Sequence, residues 1–332
     1  MKVNYVCQKS TGDWSAQFSA AVLAGMAENN IEVHEVDLTL LPYNMIKQAV
    51  IDAPPCDLWY FQRQHDWALP YVLDIRDEPA AAHCHGGIET RQFIDVVMNS
   101  PTTGGIIDFS EWTPRLSFMT VNTESHKAQI QDAYENMPPI KVTGFPIDMD
   151  DYPDHTRYMK KYIVVPGRFS PEKQQAMILS EALRPFKDRV VFSTGQDLDT
   201  RSSGGEVYKY LVRTGYAVVP YCKAKEFTDL LCQAKVVVTG GLADTLNVSL
   251  IEGVICGANP VAPGCTPYYE YLDQFFYRPS LIEEIQQCVQ DALFAPHSLQ
   301  RVEKYEKSAV AQRMASVFHE YTQAQGVKQE IE

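Results

Sequence analysis

The sequence predicts an α/β protein built from doubly wound units, and three stretches carry that expectation. Residues 2–38 run strand, loop, helix, strand, which is how such a unit opens. Residues 162–175 (YIVVPGRFSPEKQQ) place an apolar strand before a glycine-containing loop and a helix start. Residues 236–260 do the same. Val236, Val237 and Val238 read as a buried strand, Gly240 and Gly241 turn the chain, and Leu246, Leu250 and Val254 recur at helical spacing.

In the first half, residues 2–8 (KVNYVCQ) are expected as strand and residues 9–12 as loop. Phe18, Ala21, Val22, Gly25 and Met26 then define a helical face that stops at Asn29 and Asn30. Residues 31–38 alternate as a second strand, and residues 57–62 (DLWYFQ) read as a third. His65-Asp66-Trp67 follows, and then the run 80–87 (AAAHCHGG), of which 83–87 reads as a loop. Residues 118–125 predict a strand with a polar end, residues 126–134 a helix, and residues 141–148 (KVTGFPID) close the half. Residues 153–161 (PDHTRYMKK) are polar and helix-poor, the composition of an interdomain linker.

In the second half, Ser170 before Pro171 is a helix-start signature, with serine as N-cap and proline at the first helical position. Strands are expected at 189–193 and 217–220, and a helix at 225–233 leads into the valine strand. The hydroxyl-rich run 199–205 (DTRSSGG) reads as a mobile surface loop. A helix begins near Asn247 and is stopped by Gly257, Asn259 and Pro260. The aromatic run 268–277 predicts packing, and residues 281–293 and 299–321 read as amphipathic helices.

Composition sets the outer bounds. A chain of 332 residues suffices for two domains with buried cores. Its formal net charge of −13 argues against a nonspecific grip on nucleic acid or on an anionic membrane. No run approaches the length of a membrane span, and the first residues read as strand, not signal peptide. The eight cysteines are scattered without a C-x-x-C pair, which points to reduced thiols in a cytoplasmic setting. His83-Cys84-His85 lacks a second cluster to complete a four-ligand set, so no metal site is expected.

The chemistry concentrates where strands meet helices. Arg168 and Lys173 fall at the mouth of one strand-to-helix loop, where a guanidinium fork and a point charge can grip a diphosphate. Near Asn247 and Val248 a helix N-terminus presents backbone N–H groups, which also suit phosphate. Asp244 precedes that helix and Glu252 lies one turn inside it, where a carboxylate can accept from two vicinal ribose hydroxyls. A solvated surface Glu252 is the alternative. For His83 and His85, packing within a loop is the alternative to sugar contact, and Gly86-Gly87 favours His85 by allowing close backbone approach.

Together these stretches resemble the C-terminal domain of retaining GT-B glycosyltransferases (glycosyltransferase group 1, family 4-like) that use nucleotide-sugar donors. Gly167, Arg168 and Lys173 match the family's G-R-x-x-x-x-K segment. Glu252, Cys256, Gly257, Pro260 and Val261 match its second acid and the following C-G-x-P-V. The first acid is Asp244 where the family has Glu, and Thr245-Leu246-Asn247 stands in place of a glycine-rich run. His65 to Trp67, His85-Gly86-Gly87, Thr123 to His126 and Gly144 to Asp148 are looser matches to the N-terminal domain.

The resemblance implies two Rossmann-like domains facing a central cleft: residues 1–155 on the acceptor side, 156–300 binding the donor, and a final helix within 301–332 crossing back. It assigns catalysis to Arg168, Lys173 and His85. Donor contact falls to Gly167, Asp244, Leu246, Asn247, Val248 and Glu252, with Thr194, Gly195 and Tyr221 near the base and Gly12 in the first loop. The implied reaction is sugar transfer from a UDP-, GDP- or ADP-sugar to a hydroxyl on a small molecule, glycan or lipid-linked acceptor. It proceeds with retention and without metal or bound cofactor. Two other readings stay open: a GT-B enzyme that modifies a nucleic-acid base, and a nonenzymatic nucleotide-binding protein.

Overall fold

Two parallel sheets, each with one reversal of strand order, organise the chain. The computed structural model describes residues 1–7, 14–28, 30–39, 41–63, 68–85, 113–169, 173–194, 203–219, 222, 224–242, 244–265, 267–279, 281–299 and 301–329. The chain divides into two compact units, Met1–Asp148 with Lys304–Glu332, and Met149–Glu303.

In the first unit the strands are β1 (Lys2–Cys7), β2 (Glu32–Asp37), β3 (Leu58–Phe61), β4 (Ala80–Cys84), β5 (Phe118–Val121) and β6 (Ile140–Val142). Their order is β2-β1-β3-β4-β5-β6, all parallel. Covered on both faces, β3 (LWYF) and β4 (AAAHC) are buried at every position, as central strands of a parallel sheet are. Edge strand β2 (EVHEVD) buries only Val36 fully. Helices α1 (Trp14–Glu28), α2 (Tyr43–Asp52), α3 (Ala68–Ile75) and α4 (Glu124–Ala133) connect the strands. Thr123 caps α4, its hydroxyl accepting the His126 amide at 3.1 Å.

In the second unit the strands are β7 (Tyr162–Pro166), β8 (Val190–Ser193), β9 (Ala217–Val219), β10 (Ala234–Val238), β11 (Asn259–Pro263) and β12 (Phe276–Tyr277). The order β12-β11-β10-β7-β8-β9 is again parallel throughout. Helices α5 (Ser203–Arg213), α6 (Ala224–Cys232), α7 (Val248–Ile255) and α8 (Ile282–Phe294) pack around it. Ile163, Val165, Phe192, Val236, Val238 and Val261 from the strands meet Ile285 and Val289 of α8 in the core. Helix α7 sits close on β10, since a Cβ at Gly253 would lie 2.7 Å from the Val237 methyls. The helix ends in a Schellman motif. Gly257 takes φ +84°, its N–H reaches the Val254 carbonyl at 2.9 Å, and the Ala258 N–H reaches Gly253 at 2.9 Å.

Several expectations are corrected. Residues 83 and 84, expected at the front of a loop, instead end strand β4, whose three small alanines let neighbouring layers close on both faces of the sheet. Helices α2 and α3 were not anticipated, and the run 199–205 gives its last three residues, from Ser203, to α5. The final helix does not start at Leu299. A short 3-10 turn at Val302–Tyr305 precedes α9 (Lys307–Gln329), and the Glu306 carboxylate accepts the Ser308 amide at 2.7 Å at its entry. Among the described residues no helix is long and apolar enough to cross a membrane. All eight cysteines are free thiols.

Candidate functional site

In an open parallel sheet, the loops leaving two adjacent strands diverge where the strand order reverses, and the crevice between them is the usual ligand site. In the second unit that point lies between β7 and β10. The loop after β7 carries Gly167, Arg168 and Lys173, and the loop after β10 carries Gly240, Gly241 and Asp244. So the fold itself brings together residues that lie about seventy positions apart.

Gly167 takes φ +128°, which favours glycine, and its N–H is held by the Ser193 carbonyl at 3.0 Å. Arg168 follows with an exposed side chain, while its carbonyl accepts Gln175 Nε2 at 2.7 Å. The chain then passes so close to β10 that a Cβ at Gly240 would lie 2.7 Å from the Lys173 carbonyl oxygen. The Lys173 ammonium forms an ion pair with Asp244, with side-chain exposures of 13% and 17%. Ser170 and Pro171, the expected helix start, lie outside the described residues.

Asn247 ties the crevice to α7. Its Oδ1 caps the helix by accepting the Leu250 amide at 3.0 Å, and its Nδ2 donates to Thr239 Oγ1 and to Asp244 Oδ2, both at 3.0 Å. Its own N–H donates to Tyr271 Oη at 3.3 Å. That revises the expectation for Asn247, whose amide and side chain both serve the protein. The first-turn amides of Val248 and Ser249, without intrahelical acceptors, are the groups left for an anion. Leu246 is half-buried in the same segment.

Glu252 is half-buried on α7 and accepts Tyr152 Oη at 2.7 Å. Burial pushes its carboxyl up to about 7, against the opposing pull of that hydrogen bond. Tyr152 is itself driven upward by burial and by the neighbouring carboxylate, so it stays a protonated donor. Thr194, at the end of β8, is buried and its amide is held by the Val219 carbonyl at 3.1 Å. Gly12, Gly195 and Tyr221 lie outside the described residues.

In the first unit His83 and His85 have distinct surroundings. His83 is wholly buried, its Nδ1 at 2.9 Å from Thr120 Oγ1 and its Nε2 at 3.0 Å from Asn122 Oδ1. Tyr60 Oη lies 2.6 Å from the same Thr120 hydroxyl. Burial lowers His83 to about 3, so this ring is neutral and belongs to the core. His85 is the first residue past β4 and is half-buried. Its Nε2 lies 3.0 Å from the Gln62 carbonyl, an acceptor, which places the proton on Nε2. The ring stands edge-on to Phe18, with centroids 4.9 Å apart, and against His83 at 4.2 Å. Gly86 and Gly87 lie outside the described residues. Among the described residues no group of three metal-ligating side chains converges.

Sequence reasoning did not find Tyr152, Tyr268 or Thr239. Tyr152 meets Glu252 across a hundred residues of chain without a local signal, and Tyr268 was grouped with the packing aromatics.

No protein-family model matches the sequence, and no curated protein matches it. In structure the chain is similar to HepE of Anabaena in complex with UDP and glucose, at 17% identity and a TM-score of 0.70, over 96% of this chain and 100% of that one. It is similar to sucrose-phosphate synthase of Thermosynechococcus elongatus at 12% identity and a TM-score of 0.70, over 98% and 100% of the two chains. A third likeness is to the UDP-forming α,α-trehalose-phosphate synthase of Burkholderia xenovorans in complex with glucose-6-phosphate. There the identity is 9% and the TM-score 0.66, over 97% and 100%. With two parallel six-stranded sheets and likenesses that run the length of the chain, this protein has the GT-B fold of those glycosyltransferases.

Proposed function

We propose that this protein is a glycosyltransferase moving a hexosyl or pentosyl group from a nucleoside-diphosphate sugar to a hydroxyl acceptor, with retention and without a metal. The observation that carries the reading is the pairing of Lys173 with Asp244 at the β7/β10 reversal, with Arg168 on the same loop and Glu252 one turn into α7. A uridine nucleotide is the first donor to test, because UDP occupies the HepE structure that this chain resembles. A sugar or sugar phosphate is the first acceptor class to test, because glucose-6-phosphate is bound in the trehalose-phosphate synthase structure that this chain resembles. The net charge of −13 disfavours a nucleic-acid acceptor. Eight free thiols suit a reducing, cytoplasmic setting.

The chemistry asked of the site is electrostatic. As the anomeric C–O bond to the diphosphate breaks, negative charge grows on the departing phosphate oxygens and the sugar gains oxocarbenium character. Arg168, Lys173 and the first-turn amides of α7 would face that charge from fixed positions. Cations and N–H groups held in place before the reaction do the work that a metal does elsewhere. Glu252 would take the ribose hydroxyls, Gly167 would leave room for the diphosphate, and Thr194, Gly195 and Tyr221 would border the base. Gly12 and His85, in the first unit, are proposed to meet the sugar or the acceptor.

UDP release from UDP-glucose, followed with a panel of sugar and sugar-phosphate acceptors, tests the reading. Arg168→Ala and Lys173→Ala should each lower turnover by roughly 10²-fold or more; the thermal midpoint should stay unchanged for exposed Arg168 and fall for Lys173→Ala, which strips Asp244 of its counter-ion. UDP-, GDP- and ADP-sugars compared by thermal stabilisation should single out one nucleotide. No stabilisation by any of them, or normal rates in both variants at saturating donor, would overturn the assignment.

A further inference from the structure

Asp244 stands where the resemblance places the first acid of the pair, a donor contact, yet both of its carboxylate oxygens are engaged by the protein. Oδ1 takes the Lys173 ammonium. Oδ2 accepts Asn247 Nδ2 at 3.0 Å and Tyr268 Oη at 3.1 Å, the tyrosine hydrogen being shared with the Gly241 carbonyl at 2.7 Å. The donors are themselves fixed. Asn247 is held by Thr239 Oγ1 and by its capping bond to Leu250, and Tyr268 is fully buried. The cage leaves no slack around the carboxylate. Any side chain on Gly241 would collide with Asp244 Oδ2, and one on Gly240 would meet the Lys173 carbonyl at 2.7 Å.

A long lysine side chain loses rotamer freedom when it is fixed, so an ammonium meant to meet a phosphate gains from being ordered beforehand. Aspartate is one methylene shorter than glutamate. In this cage the shorter acid stays back among Asn247, Tyr268 and Lys173. We propose that Asp244 is a positioning residue: it holds Lys173 at the β7/β10 crevice for the donor diphosphate and does not itself read the sugar. This rests on the glycosyl-transfer reading of the same site. The consequence concerns specificity. The Asp244–Lys173 pair serves the nucleoside diphosphate, so UDP depends on Asp244 as much as UDP-glucose does.

Titration calorimetry with UDP and with UDP-glucose on wild type, Asp244→Asn, Lys173→Met and the double variant tests this. Asp244→Asn keeps the shape and removes the charge. It should weaken both ligands by the same factor, roughly tenfold or more, and should add no further loss to Lys173→Met. Loss confined to UDP-glucose would show a carboxylate reading the sugar, and losses that add fully in the double variant would show Asp244 acting independently of Lys173; either overturns the proposal. If Asp244→Asn does not fold, Asp244→Glu keeps the charge but displaces the ammonium, and the same equal loss for UDP and UDP-glucose is expected. Absence of UDP binding by the wild type would overturn the glycosyl-transfer reading and this proposal with it. A loss confined to UDP-glucose would overturn this proposal alone.

Discussion

Glu252 is poised near half-protonation at neutral pH. Burial raises its carboxyl from 4.5 to about 7, and the Tyr152 hydrogen bond offsets this only in part. A folded-state pKa above the unfolded one means that the fold favours the protonated form. That stabilising contribution is complete below about 4.5 and is lost as pH rises through about 7. A ribose diol donates hydrogen bonds and so selects the ionised carboxylate. Affinity for UDP-glucose, which lacks the titrating terminal phosphate of UDP, should therefore climb between about pH 6 and pH 8, and binding near neutrality should release a proton. Calorimetry in buffers of different ionisation enthalpy reads that proton. Glu252→Gln should bind UDP-glucose more weakly at the upper pH, by ~1.5–3 kcal/mol, and lose the slope. A slope that survives the substitution would remove Glu252 from the ribose site. The residue was legible in the sequence, but its partner Tyr152 was not, since a contact across a hundred residues leaves no local pattern.

Among elements, two close helix contacts depend on glycine. A Cβ at Gly25 in α1 would collide with Ala311 Cβ in α9, so these helices approach at a point where one partner has no side chain. Gly25→Ala should destabilise the protein by about 1–3 kcal/mol through overpacking. Ala311→Gly in the same chain should restore most of the loss, a coupling that urea unfolding of the four variants measures. Additive effects would show that the two positions do not share a contact. Gly253 plays the corresponding part beneath α7, against Val237. Helices α1 and α7 showed their apolar faces in the sequence. By contrast α2 has Tyr43, Met45 and Ile46 near its start without a cap hydrogen bond, so no boundary marked it. Strand β4 was hidden because Ala80-Ala81-Ala82 has neither β-branching nor alternation. Its strand character comes from neighbours β3 and β5 pairing on either side.

For the molecule as a whole, the reversal of strand order in each sheet decides where chemistry can gather. In the second unit it lies between β7 and β10, and the loops leaving those strands hold Arg168, Lys173 and Asp244. Saturating UDP at about 100 times its dissociation constant should stabilise the protein by ~2.7 kcal/mol. New hydrogen-exchange protection should be concentrated in residues 173–179 and 239–252. Protection spread evenly over the strands, or centred on the opposite sheet edge, would place the nucleotide elsewhere.

Legible along the chain were the α/β class, the strand–turn–helix unit around Glu252, and the stop of α7 at Gly257. Each of these is set by neighbours along the chain: apolar period, capping side chains and a glycine that accepts positive φ. Tertiary structure alone decided what those residues touch. It put Lys173 on Asp244, turned Asn247 from a phosphate-side candidate into a helix cap, and gave Glu252 the buried setting that raises its pKa. It also enclosed His83 in the core while leaving His85 at the strand end. Burial and hydrogen-bond partnership depend on which distant segments a sheet brings side by side, and no local pattern encodes that order.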